Sequence, residues 1–219
     1  MFKIFPPTVR KHKWLHYRIK KGRHSSLRLP VLLWDNPKKC DDHLRCLIYV
    51  HDSWIYDPDE VSGPGWNKII GFSDGRHHRN SLRLVYQCRR DEYDNIHIML
   101  GSYAYVDGVS PQQNPRQKKA IGTVLPGELI EVDLRRGEDP HVNEPMFQDY
   151  GISISNVFLP SYIENPLKAS MEELLKCDRD FIGRDTILAG DDRRHGYLLR
   201  PHISSFTLDH DVEFYIMIL

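Results

Sequence analysis

The chain predicts an all-β sandwich, on three observations. Apolar and polar residues alternate with period two in seven separate segments, the pattern of strands that bury one face. Turn-forming residues punctuate the chain at Pro6-Pro7, Gly63-Pro64-Gly65, Asp107-Gly108, Pro126-Gly127 and Asp139-Pro140. One segment alone carries helical spacing. Many short strands divided by such turns pack as two antiparallel sheets around a shared core.

The first strand is "WLHYRI" (14–19), with Leu15, Tyr17 and Ile19 on one face. Basic residues surround it: Arg10, Lys11, Lys13, Arg18, Lys20, Lys21 and Arg23. That density of charge suits a solvated edge strand protected against pairing with other chains. "LRCLIYV" (44–50) turns Leu44, Cys46, Ile48 and Val50 to one side, and "LRLVYQC" (82–88) does the same with Leu82, Leu84, Tyr86 and Cys88. "IHIMLGSYAYV" (96–106) sets Ile96, Ile98 and Leu100 against His97, Met99, Tyr103 and Tyr105. "ELIEVDL" (128–134), "YGISISNVF" (150–158) and "DVEFYIMI" (211–218) complete the set. Between the last two, "NPLKASMEELLKC" (165–177) spaces Leu167, Met171, Leu174 and Leu175 as on a helix. Ser170 with Glu173 three residues on forms a capping box at its start. "AGDDRRHG" (189–196) reads as an exposed loop.

At 219 residues, 40% of them apolar, the chain is long enough for one sizeable core. Lys and Arg number 30, matched by 30 Asp and Glu, so the balance lacks the basic excess of a duplex-binding protein. No run approaches the roughly 20 apolar residues of a membrane-spanning helix. The first residues meet prolines before any apolar stretch forms, unlike a secretory signal. Four cysteines, Cys40, Cys46, Cys88 and Cys177, lack disulfide-scaffold spacing, which predicts free thiols and a cytoplasmic or virion location.

Nucleotide-binding glycine loops, the HExxH zinc motif and the GxSxG elbow are absent from the sequence, and no cofactor is expected. Cys40-x2-His43-x2-Cys46 is a poor zinc set because Cys46 alternates in phase with Leu44 and Ile48. "DPDE" (57–60) reads as a solvated acidic turn rather than a calcium loop. No metal site is expected.

Residues 66–108 form a unit: "WNKIIGFSDGRHHRNSLRLVYQC", then "NIHIMLGSYAYVDG". The unit holds a Gly-Phe-Ser turn, a polar loop, a strand with Arg83 and a strand ending Tyr103-x-Tyr105-x-x-Gly108. It resembles concanavalin A-like sandwiches of the polysaccharide-lyase type. It is more similar still to uncharacterised proteins of Bacteroidota and their phages carrying K-x-x-G-x-S-x-G-x-H-H-x-N-S-x-R followed by Y-x-Y-x-x-G. "IKKGRHSS" (19–26) and the ending "GYLLRPHISSFTLDHDVEFYIMIL" (196–219) are similar to the first and last strands of those proteins, whose P-Y-F-G-G stands here as "PHISS" (201–205). The resemblance implies a jelly-roll sandwich in one domain over 1–219, with 160–195 a helical insertion.

Alternation also places a candidate site. Opposite the apolar side chains, strand 81–88 carries Ser81, Arg83, Val85 and Gln87, and strand 96–106 carries His97, Met99, Gly101, Tyr103 and Tyr105. Paired, these make one polar and aromatic sheet face beside the loop 76–80 with His77, His78 and Asn80. Tyrosine rings stack on sugar C–H faces, and Arg and Gln fork to hydroxyls or carboxylates. The expected ligand-binding set is Arg83, Gln87, His97, Tyr103, Tyr105, His77 and Asn80. Two plainer readings stand beside it: a merely packed outer face, and His78 and Asn80 as caps on backbone groups.

Non-catalytic carbohydrate recognition is the function expected, with a glycan or virion and assembly proteins as partners. One alternative is a phage virion or assembly structural protein. Another is a polysaccharide lyase acting on uronates. For that chemistry Arg83 with Asn80 or Gln87 would neutralise a carboxylate. His97 or Tyr105 would be the base, and Tyr103 or Tyr105 the acid. Paired acids of a retaining glycosidase are missing from these strands.

Overall fold

The computed structural model describes residues 13–26, 43–60, 65–74, 78–137, 149–188, 196–204 and 208–219. Two antiparallel sheets form a jelly-roll-class sandwich. The six-stranded sheet contains β1 (Trp14–Ile19), β2 (His43–Tyr49), β7 (Leu129–Gly137), β8 (Asp149–Phe158), β9 (Asp178–Leu188) and β11 (Val212–Ile218), in the order β1-β11-β2-β7-β8-β9. The five-stranded sheet contains β3 (Asn67–Asp74), β4 (Ser81–Arg90), β5 (Ile96–Tyr105), β6 (Lys118–Val124) and β10 (Gly196–Leu199), in the order β10-β3-β4-β5-β6.

The seven alternating segments all form strands, and their apolar faces meet between the sheets. Leu15, Tyr17, Cys46, Ile48, Val132, Ile154, Phe214 and Ile216 from one sheet pack with Phe72, Leu82, Leu84, Tyr86, Ile98 and Leu100 from the other. Trp54, on a 3-10 turn at Asp52–Trp54, stacks on Tyr86 at 4.9 Å and donates its Nε1–H to the Glu213 carbonyl at 2.8 Å. That bond lets a large ring lie in the core without an orphaned donor. The basic strand β1 is a sheet edge, and Arg18 there bonds Asp211.

Four strands are not legible as alternation. β6, β9 and β10 are edges. An edge strand keeps one ladder and can leave most of its side chains in water, so it needs little apolar patterning. β3 is interior, and the Gly71-Phe72-Ser73 stretch expected to turn is part of it. Gly71 there answers a packing demand: a Cβ would sit 2.8 Å from Arg83 Cα on β4. Residues 160–195 are not simply a helical insertion, since α1 (Met171–Lys176) takes six of them and β9 eleven.

Helix α1 has the expected capping box, with Ser170 Oγ accepting from the Glu173 N–H and Glu173 reaching back to the Ser170 N–H at 2.8 Å. It lies on the outer face of the six-stranded sheet, where Leu174 joins Leu47, Leu129, Val157 and Met217. The edges β6 and β9 meet through glycines: a Cβ on Gly183 would lie 2.7 Å from the Ile121 carbonyl oxygen. Among the described cysteines, Cys46, Cys88 and Cys177 are free thiols; Cys40 lies outside the described residues. No described helix is long and apolar enough to cross a membrane.

Leu84 is fully buried on β4. Leu84→Ala is expected to lower stability by about 2–5 kcal/mol, read from urea unfolding midpoints. A loss below about 1 kcal/mol would place Leu84 outside the core.

Candidate functional site

The face of the five-stranded sheet turned away from the core is built by cross-strand register. Arg83 on β4 lies opposite Tyr103 on β5 and Gly71 on β3, and Ser81 lies opposite Tyr105 and Ser73. On β5, Gly101 lies beside Val85, and Tyr103 faces Lys118 on β6. Two glycines form the floor. At Gly71 a Cβ would come within 2.9 Å of Arg83 Cγ, and at Gly101 within 2.9 Å of the Trp66 ring. The arginine stem and the indole lie over positions that have no side chain. Trp66, Val85 and Tyr103 form a small apolar cluster there, with Met99 and Tyr105 against it.

A bulge brings a further residue to this face. Between β3 and β4 the register shifts between Lys68 and Ile70. Ile69 and Ile70 both enter the core, while Lys68 stands opposite Val85 on the outer face. Its Nζ lies 5.3 Å from the Tyr103 ring centroid, within cation–π range. On the other side Lys68 exchanges two backbone hydrogen bonds with His202, at 2.8 and 2.9 Å. That bridge sets the two side chains next to each other.

The resulting group is rich in cations. Arg83 is only 8% exposed, and its Nε–H has no hydrogen-bond partner. Burial pushes its pKa down to about 10, against the favourable pull of Tyr105 and Tyr103. Burial and then Arg83 bring Lys68 down to about 8. Burial, followed by Lys68 and Arg83, holds His202 down at about 4. Exposed His78, edge-on to Tyr105 at 5.2 Å, is also lowered by burial, Arg83 and Lys68. No carboxylate among the described residues pairs with Lys68, Arg83 or His202. Tyr103 is pushed up to about 12, first by burial, and donates its hydroxyl to Gln112 Oε1 at 3.0 Å. It is thereby a fixed neutral phenol.

Of the expected residues, Arg83, Tyr103 and Tyr105 come together. His97 shares the face but pairs with Arg89, six residues along the strand from the Arg83–Tyr103 pair, or roughly 20 Å. There its Nε2 bonds Asp91 Oδ2 at 2.7 Å, holding the β4–β5 turn. Gln87 also lies toward that end, its amide oxygen accepting from Arg89 Nη2 at 2.9 Å in the orientation that satisfies both groups. Asn80 is buried and accepts the Asp107 backbone N–H at 2.7 Å, tying the β3–β4 loop to the turn after β5. Neither His97, Gln87 nor Asn80 stands beside Arg83 in the way a shared carboxylate would require. His77 lies outside the described residues. Sequence reasoning missed Trp66, Lys68 and His202. Both lie in stretches the sequence had singled out, Lys68 in 66–108 and His202 in "PHISS" (201–205).

Among the described residues no three His, Cys, Asp or Glu side chains converge as for a metal ion. Cys46 points into the core, where burial pushes its thiol far up. The acidic turn at 57–60 is clamped by Arg90, which reaches Asp57 at 2.7 Å and Asp59 at 3.1 Å.

No protein-family model matches this chain, and no curated protein matches it in sequence. Among solved structures, that of the alginate lyase Aly36B is similar over 94% of this chain and 78% of that chain, with 11% identity and a TM-score of 0.44. Identity that low transfers no residue roles.

The His202 environment sets an acid-side stability window. The unfolded imidazole protonates near pH 6.5 and the folded one near 4. Between those values the unfolded state binds more protons, so stability falls as pH drops from about 6.5 to 4. The shift corresponds to about 3 kcal/mol before solvent screening, and roughly 1–2 kcal/mol for this partly exposed group. His202→Gln should flatten that part of the profile in urea titrations. Losses below pH 4, where carboxylates such as Asp57 protonate, should remain.

Proposed function

We propose that this protein recognises a glycan chain laid across the outer face of the five-stranded sheet, without cleaving it. The observation that carries this reading is Arg83: a buried guanidinium, flanked by tyrosines, with an unpartnered donor and no acid beside it among the described residues. A charge left that way in a fold is costly unless a ligand completes it. A planar fork suits carboxylates and vicinal hydroxyls. Tyr105, half-buried beside exposed His78, offers a ring for a sugar's C–H face.

A glycan array followed by calorimetry tests the reading. Tyr105→Ala and Arg83→Met should each weaken binding at least about tenfold, one hot-spot contact, while the circular dichroism spectrum stays that of the parent. Tyr93→Ala, exposed in the β4–β5 turn, should leave affinity unchanged. An array with no retained glycan, alongside copurifying virion or assembly proteins, would hand the face to a protein partner.

A lyase acting on uronates is the second reading, favoured by His78. Its imidazole, disfavoured as a cation by burial, Arg83 and Lys68, is uncharged at neutral pH and so able to act as a base. Elimination would take the C5 proton to that base, break the C4–oxygen bond and return a proton to the departing oxygen, with Arg83 on the carboxylate. Growth of unsaturated-product absorbance on a uronate polymer, lost in His78→Ala, would establish it over recognition alone.

A further inference from the structure

We propose that the corner formed by Lys68, Arg83 and His202 seats one oxyanion, a carboxylate or sulfate ester of an acidic glycan, and that seating it draws a proton from solvent. The glycan as source rests on the reading above; the seat itself rests on the side chains alone.

Two strands and one returning segment bring the group together. β3 supplies Lys68 by its bulge, β4 supplies Arg83 over Gly71, and the bridge at His202 closes the third side. Arg83 is more than nine-tenths buried with its Nε–H unpartnered. Among the described residues, the charged and titratable groups acting here are Arg83 on β4, Tyr103 and Tyr105 on β5, His78 in the β3–β4 loop, and Arg200 and His24 near His202. Lys118 on β6 lies opposite Tyr103. The acid at the end of β5, Asp107, is turned to Asn80. Cations thus face cations and neutral phenols, with no carboxylate among the described residues to relieve them.

An arriving oxyanion changes the balance at each base. In the free protein Lys68 and His202 are held toward their neutral forms by burial and by Arg83. A negative charge among them favours the protonated form of both. Each base therefore takes up protons on binding, near its own titration range. Near pH 8 the group that takes up the proton is Lys68; near pH 5 it is His202. Above pH 8 the seat loses the Lys68 charge, and affinity for the anion falls.

The experiment is calorimetric titration of the full chain with sodium sulfate and with glucuronate, glucose being the neutral control. Each titration is run at pH 5 and pH 8 in buffers of different ionisation enthalpy. Expected at pH 8 is uptake of up to about half a proton per anion, and affinity at pH 9.5 below that at pH 7.5. Lys68→Met should abolish uptake at pH 8 and weaken the anion at least about tenfold. It should also raise the melting temperature at pH 7, because a desolvated charge is gone, so misfolding cannot explain the loss. His202→Gln should abolish uptake at pH 5 and leave it intact at pH 8. Anion binding with no buffer dependence, or Lys68→Met binding as tightly as the parent, overturns the proposal. The two readings fail separately. Sulfate bound with proton uptake and an empty glycan array retains the seat and rejects glycan recognition. Neutral and acidic glycans bound equally, with no uptake, rejects the seat and retains recognition.

Discussion

The register of β4 is the constraint from which the rest follows. Leu82, Leu84 and Tyr86 are fully buried, and side chains on a strand alternate with period two. Arg83 must then face away from the core, and a one-residue slip would drive its guanidinium into the space between the sheets. The same register pairs Arg83 with Tyr103 and Ser81 with Tyr105, so core packing alone assembles a charged and aromatic outer face. The opposite sheet spends its own outer face differently. There α1 settles over Leu47, Val157 and Met217, and charges beside it are paired, as Arg45 and Arg179 are on Glu131, whereas the polar floor of the five-stranded sheet carries cations with no paired acid among the described residues.

That floor holds strain of an electrostatic kind. A protein selected for stability alone would pair Arg83 with a carboxylate or replace it by an apolar residue. Elsewhere the chain pairs its arginines well: Arg90 reaches Asp57, Asp59 and Asp94, and Arg45 and Arg179 share Glu131. Balanced charge over the whole chain therefore conceals a local imbalance. Acids are present in equal number, and those that the described ion pairs show engaged, such as Asp57, Asp59 and Glu131, stand at other corners. Local conflict of this sort, set in a fold otherwise consistent, is the physical ground for proposing a site there.

Much of this was legible in the sequence, and the unread part has identifiable causes. Seven strands showed because each has a core face; the helix showed because Ser170 and Glu173 form a local device. Arg83, Tyr103 and Tyr105 were found because face assignment needs only parity. His97 and Gln87 passed the same parity test yet lie at the far end of the face, because parity says nothing of distance along a strand. Hairpin arithmetic would have corrected this. A turn at 91–95 fixes Arg90 against Ile96, which places His97 against Arg89 and leaves Tyr103 for Arg83. The edge strands β6 and β9 carried too little apolar pattern to be seen, as edges do.

Lys68 shows a different limit. Strict alternation from Gly71 would send Ile69 outward and Lys68 into the core. The bulge reverses that assignment, because one extra residue in a strand shifts the parity of everything before it. Ile69 and Ile70 then both point inward, and Lys68 stays outside, over the Tyr103 ring. The bulge thus does for β3 what register does for β4. It satisfies the core with two isoleucines and, by the same shift, delivers a second cation next to Arg83. Sequence parity cannot anticipate such a shift, but physical chemistry explains its sense: a lysine buried between the sheets would have no partner, whereas two adjacent isoleucines fill the core only if one residue is left unpaired.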